Sequence, residues 1–332
     1  MKILIASRTN KESLIVSCIR SLNRLGYDTS IFNYETESKL FLKQNLPFLF
    51  QSGIKLCNLK LKKFCLQYKP DALFAVKGEI IFPWTIEWIK KRLKIPTILW
   101  FIDDPPLFER ISQYISLAYD YVFTNDESSI HNYKKLGVKN VEYLPFFCDP
   151  SFHRKIKLID EENKRFYSDV CFAGGYYPDR ERIIKYLLNA GFDIKIYGSY
   201  WKRFADLDVV KNYRGYAQGE NLVKLFNATK IVLNIHSDKM KHTRQKANYR
   251  TFEATGCGSF LLTDRPNGIE ELFSVGREIV CYDKLKELVE LMNFYLNNRK
   301  EREKIASKGQ KRAYRDHTAI HRMKKIISVI ER

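Results

Sequence analysis

Short apolar runs of strand length recur down the chain, and a stretch with helical spacing separates each from the next. Strands joined through helices cannot pair as tight hairpins. They pair in parallel, with the helices covering the sheet faces. Residues 1–7, Thr29–Tyr34, Asp71–Lys77, Pro96–Ile102, Tyr121–Thr124 and Val141–Leu144 form a first set of such runs. Gly26 and Gly137 stand where helices between them should close. Residues 35–69 read as mostly helical, with lysines between Leu, Phe and Ile at helical spacing.

The stretch Pro145–Lys164 changes character, with two prolines, His-Arg-Lys and Asp-Glu-Glu-Asn-Lys, and reads as an interdomain linker. The alternation then restarts. Asp169–Ala173, Phe192–Tyr197, Lys230–Ile235, Ser259–Thr263 and Glu278–Tyr282 are strands, residues 268–273 a helix, and everything from Leu285 onward helical and basic. A chain of 332 residues exceeds the size at which one core stops growing. The expectation is α/β architecture in two Rossmann-like domains, 1–150 and 151–316.

Composition narrows the function classes. With 45% hydrophobic and 29% charged residues the chain is an ordinary globular one. Seven cysteines without a C-x-x-C pair suggest neither a zinc knuckle nor a dithiol redox site, and suit a reducing cytoplasm. No apolar run approaches the ~18 residues that span a bilayer, and residues 1–6 are too short for a signal peptide. The net charge of +19 points to an anionic ligand or an anionic membrane at the inner face of the plasma membrane, or to plain solubility. Nucleic acid is the weakest partner class, since no aromatic-interleaved or recognition-helix motif accompanies the charge.

Several polar groups fall at strand ends, where an open α/β sheet takes its ligands. Asp103 and Asp104 follow a buried strand and precede two prolines. A carboxylate there serves either as a general base for an acceptor hydroxyl or as a helix cap. Lys77 and Glu79 end the preceding strand, and Asn125, Asp126 and His131 are lesser candidates. Gly174-Gly175 lies between a strand and a helix that carries Arg180 and Arg182. The pair reads either as an anion cradle gripped by Arg180 or as a tight turn. Gly198-Ser199-Tyr200-Trp201 follows another strand, and its aromatics either stack on a base or belong to the core. His236, at a strand end, is a minor candidate. No metal-ligand cluster is evident.

The densest constellation is RQKANYRTFEATGCGSFLLTDRPNGIEE, from Arg244 to Glu271. Asn248 and Arg250 precede Glu253, and helical spacing puts Arg250 on the same face as Glu253. A carboxylate there can accept from two ribose hydroxyls, and an arginine beside it can neutralise a departing diphosphate. The plainer reading is a buried Glu–Arg pair closing a helix against the sheet.

The stretch NYRTFEATGCGSFLLTDRPNGIEELFSVGREIVCY resembles the donor-site signature of GT-B glycosyltransferases and, more narrowly, the CgeB-like, spore-maturation-type family. WFIDDP and LPFFCDPSFH are similar to the same family's first-domain strand end and linker. The resemblance implies a GT-B fold with two parallel sheets facing a central cleft, and a final helix, 317–332, that crosses back to the first domain. It implies transfer of a sugar from a nucleotide-diphosphate sugar to a protein, glycan or lipid-linked acceptor. The donor is then held by the second domain, with no cofactor and no metal. Related retaining enzymes flank this helix with two glutamates; Glu253 matches the second, and Gln245 stands at the first. Those enzymes often carry His at the position of Asp103. A GT-B-type epimerase and a non-catalytic nucleotide-sugar-binding subunit partnering another glycosyltransferase remain open alternatives.

Overall fold

The computed structural model describes residues 1–8, 14–37, 47–237 and 245–331. Arg244 and parts of the segments 35–69 and 7–14 lie outside the described residues. The chain divides into two compact units, Met1–Pro145 with Ala319–Arg332, and Phe146–Thr318.

The first unit holds β1 (Lys2–Ser7), α1 (Leu14–Arg24), β2 (Asp28–Asn33), α2 (Pro47–Tyr68), β3 (Ala72–Val76), α3 (Pro83–Leu93), β4 (Thr97–Phe101), β5 (Tyr121–Thr124), α4 (Glu127–Lys135) and β6 (Val141–Tyr143). Its strands form one parallel sheet in the order β2-β1-β3-β4-β5-β6. Every residue of β3 and β4 is buried, because helices cover both faces. That is why these strands are uninterrupted apolar runs instead of alternating ones. The last helix of the chain, Ala319–Ile330, packs against α1. It is tied to the far edge of the unit by Arg322, which donates to the Pro145 carbonyl at 2.9 Å, and by Lys325, which donates to that of Tyr143 at 3.0 Å.

The second unit holds α5 (Asp160–Phe166), β7 (Ser168–Ala173), α6 (Pro178–Asn189), β8 (Ile194–Tyr197), the single turns α7 (Trp201–Phe204) and α8 (Leu207–Val210), α9 (Glu220–Ala228), β9 (Thr229–Asn234), α10 (Tyr249–Gly256), β10 (Leu261–Asp264) and β11 (Val280–Tyr282). It closes with α11 (Leu285–Asn297) and α12 (Arg299–Asp316); the last helix of the first unit is α13. Its parallel sheet has the order β11-β10-β9-β7-β8. All seven cysteines are buried and none is in a disulfide, as suits small hydrophobes.

Two expectations are corrected. The stretch 145–164, expected as an interdomain linker, belongs to the second unit from Phe146 on. Phe147, Cys148, Asp149 and His153 are buried inside the second unit. Gly256 explains the fit, since a Cβ on it would meet Cys148 Cβ at 2.7 Å and His153 Cβ at 3.0 Å. The expected helix at 268–273 shrinks to the 3-10 turn Ile269–Glu271, entered through Gly268 in the left-handed region.

Candidate functional site

In the second unit the site is built around the first turns of α10. Asn248 caps this helix, its side-chain oxygen accepting from the Thr251 amide at 3.2 Å. Its side-chain nitrogen donates to Asn234 at the end of β9, at 3.0 Å. Asn248 thus orients the helix on the sheet, and its amide group is occupied by that task. The Asn248 backbone N–H donates to His236 Nε2 at 3.2 Å, so this nitrogen is the acceptor. The ring proton therefore sits on Nδ1, which donates to Asp264 Oδ1 at 2.8 Å. Burial pushes the Asp264 carboxyl up, but the His236 ring and backbone amide outweigh it and hold it below its usual range. His236, a minor candidate in the sequence, is the joint between β9, β10 and α10.

Arg250 is the other joint. Its Nε donates to the carbonyl of Ala173, the last residue of β7, at 2.8 Å, and its Nη1 to Glu253 Oε2 at 2.7 Å. The guanidinium lies over the Phe226 ring at 5.3 Å. Glu253 is buried. Burial pushes its carboxyl up, and Arg250 with His153 more than offsets this, holding it below its usual range. His153 Nε2 stands 3.7 Å from Glu253 Oε1. Its Nδ1 accepts from the Asp149 amide at 2.9 Å, which turns the Nε2 edge toward the carboxylate. In the sequence His153 carries no signal beyond its place in LPFFCDPSFH.

The glycine turns lie at the neighbouring strand ends. The Gly174 amide donates to the Tyr197 carbonyl at 2.9 Å, so of the pair only the Gly175 amide has no partner in the turn. Gly198 has φ +139°, and a Cβ on it would sit 2.0 Å from the Gly174 carbonyl oxygen. Gly198 is therefore required by the packing of one turn on the other. Ser199 accepts from the Tyr176 amide through its carbonyl, at 2.9 Å. Trp201 is fully buried and donates to the Gly174 carbonyl at 2.8 Å, so it belongs to the core, whereas Tyr200 is exposed.

Arg180 does not reach outward to grip an anion. Its Nε donates to the Ile235 carbonyl and its Nη1 to that of Gly175, both at 2.9 Å, and it stacks over Tyr177. Burial lowers its pKa. It fastens the turn after β7 to the end of β9. A cavity of about 340 Å³ opens beside these groups, lined by Arg182, His236, Asp264, Arg265, Tyr282 and Asp283. The buried Tyr282 hydroxyl has no hydrogen-bond partner. Among the described residues, no three His, Cys, Asp or Glu side chains cluster in a way that would hold a metal ion.

In the first unit the two candidate aspartates separate. Asp104 is fully buried and accepts from Ser112 at 2.9 Å and from Thr124 and Tyr133 at 2.7 Å each. Burial pushes its carboxyl up to about 6 against the pull of those hydroxyls. It cannot reach a substrate, and its candidacy as a catalytic residue is corrected: it is an internal anchor. Asp103 is partly exposed and pairs with Lys77 Nζ at 2.6 Å. Lys77 holds φ 67°, a strained backbone for a lysine, at the end of β3. Glu79 accepts from the Tyr34 hydroxyl at 2.7 Å. Asp126 caps α4, and His131 is exposed on it. Asn125 is buried with neither its side-chain nitrogen nor its oxygen bonded.

Residues 180–328 match the family model described as "Glycosyl transferase-like". In architecture the chain is similar to HepE of Anabaena, solved in complex with UDP-glucose. The TM-score is 0.66 at 15% identity, over 100% of this chain and 99% of the other. It is also similar to sucrose-phosphate synthase of Thermosynechococcus elongatus, with a TM-score of 0.66 at 9% identity, over 100% and 98%. The chain has the GT-B fold, and its residues 180–328 are similar to the glycosyl transferase-like family. It is also similar to the spore protein CgeB of Bacillus subtilis (strain 168), at 27% identity over 257 residues, 74% of this chain and 78% of the relative.

Proposed function

We propose that this chain is a glycosyltransferase that takes its sugar from a nucleotide-diphosphate donor held by the second unit, needs no bound metal, and passes the sugar to a glycan, protein or lipid-linked acceptor. The observation that carries the reading is Arg250, with one nitrogen on the last carbonyl of β7 and another on Glu253. It stations a buried, ionised carboxylate beside the Gly174-Gly175 turn, at the sheet edge where such folds take ligands. Glu253 accepts from the ribose hydroxyls. The remaining nitrogen of Arg250 and the Gly175 amide meet the diphosphate and offset its charge as it leaves. The UDP-glucose complex of HepE supports a nucleotide sugar as the donor class. Asp103, oriented by Lys77, is the acceptor-side base. The basic surface brings the protein to an anionic membrane.

Calorimetric titration with UDP, GDP and dTDP tests this. One of them binds the wild type, and Glu253→Ala weakens binding by about tenfold or more, the worth of a lost charge-assisted hydrogen bond. Asp103→Asn binds as wild type and loses turnover. No binding of any of the three to the wild type would overturn the reading. Gln245, buried where related retaining enzymes carry glutamate, favours a second reading as a nucleotide-sugar-binding subunit. Donor binding without transfer or hydrolysis on long incubation selects it.

A further inference from the structure

We infer that the outer face of α2 is a docking surface for an anionic lipid bilayer. The inference deepens the membrane contact proposed above and rests on that reading alone, independent of the donor chemistry.

α2 (Pro47–Tyr68) contains no acidic residue along its whole length. Leu56, Leu59 and Leu66 stand 36%, 62% and 41% exposed on it. At about 3.6 residues per turn they fall in one strip, together with Lys63. Lys60 flanks the strip on one side, and Lys55 and Lys62 on the other. The opposite side, with Cys57, Leu61 and Cys65, is buried in the core of the first unit. The helix therefore has two apolar sides. One packs on the sheet. The other shows leucines to solvent between lysines whose long stems can reach past an apolar layer to charged headgroups.

The neighbourhood extends this character. Asn58 accepts from the Phe82 amide at 2.9 Å, which brings the start of α3 beside α2. Trp84 is stacked on Phe82 with ring centroids 4.3 Å apart and is 59% exposed, an amphipathic ring of the kind enriched at headgroup level. Lys62 lies over the Trp88 ring at 5.2 Å. The nearby acids are few: Glu37 pairs with Lys60 at 2.8 Å, and Glu87 is exposed on α3. Lys55 and Lys63 pair with no acid among the described residues.

Charge chooses the occupant. A second copy of the same face would set lysines against lysines. An anionic bilayer accepts both parts of the face, the leucines at the acyl boundary and the lysines among phosphates. No described helix is long and apolar enough to cross a membrane, so the contact is peripheral.

The test is co-sedimentation of the full chain with phosphatidylcholine vesicles, with and without phosphatidylglycerol, at low and high salt. Wild type pellets with the phosphatidylglycerol vesicles at low salt and is released by high salt. Leu56→Asn/Leu59→Asn/Leu66→Asn and, separately, Lys55→Glu/Lys63→Glu each weaken the binding by about tenfold or more. These residues are exposed, so the variants should keep the wild-type circular dichroism. Phe204→Ser/Leu207→Ser, on an exposed apolar spot of the second unit, binds vesicles as wild type does. The inference fails if wild type ignores both vesicle types, if either α2 variant binds undiminished, or if the Phe204/Leu207 variant alone loses binding. It fails also if ultracentrifugation shows a dimer that the leucine variant abolishes. Titration of the same proteins with UDP, GDP and dTDP separates the two readings. Vesicle binding without nucleotide binding sinks the donor reading alone, and nucleotide binding without vesicle binding sinks this one alone.

Discussion

Asp103 and Asp104 are neighbours in sequence and opposites in environment. One carboxylate faces solvent beside Lys77, and the other is sealed under three hydroxyls. The raised pKa of Asp104 means that the folded protein holds its proton more tightly than the unfolded chain does. Its stability contribution is therefore full below the unfolded value of 3.8 and is lost as pH rises through about 6. Asp104→Asn has no such titration. Between about pH 4 and 6 the stability of wild type relative to the variant falls as pH rises, which urea melts at several pH values would register. Glu253 has the opposite sign, since its folded pKa is depressed: its contribution is present above the usual carboxylate range and disappears as pH falls through its own. Arg250→Ala leaves that buried carboxylate with His153 alone. The expected cost is about 3–5 kcal/mol at neutral pH, shrinking as pH falls and the carboxylate takes up a proton.

At the level of elements, the site depends on two turns that must touch. Gly198→Ala drives a methyl group into the Gly174 carbonyl from a backbone conformation that alanine resists. A loss of about 2 kcal/mol or more in thermal unfolding is expected, together with weaker nucleotide binding. Gly191→Ala is the contrast. It shares a positive φ, +89°, but has nothing within 4 Å, so only the left-handed penalty of about 1–2 kcal/mol remains and nucleotide affinity is unchanged. Periodicity made the strands and the longer helices legible, because each buried strand of a parallel sheet is an apolar run. Elements without a period were not. The short helices at 201–210 and 160–166 and the 3-10 turn at 269–271 have no readable period, since a single turn leaves too few residues to show a face.

At the scale of the molecule, each unit carries its own parallel sheet and its own core. The last helix, α13, belongs to the first unit although the second precedes it in the chain. It buries Met323, Ile326, Ile327 and Val329. Burial of four such side chains is worth about 1.5–3 kcal/mol each, comparable to the whole 5–15 kcal/mol stability of a domain. A chain ending at Thr318 is expected to express as insoluble protein or to lose the cooperative melt of the first unit.

The sequence alone determined the parallel α/β architecture, the twofold repetition of it, and the Asn248–Arg250–Glu253 helix. These rest on local periodicity and on residues close in the chain. It also brought Asp103 and Asp104 to one strand end, and there its reach stopped. Which of the two is buried depends on hydroxyls from Ser112, Thr124 and Tyr133, residues 8 to 29 positions away that only the fold assembles. The same holds for His153 against Glu253, for Arg180 turned inward onto two carbonyls, and for Gly198 pressed on Gly174. In each case the partner is remote in sequence, and the deciding term, desolvation or close contact, exists only once the chain has packed.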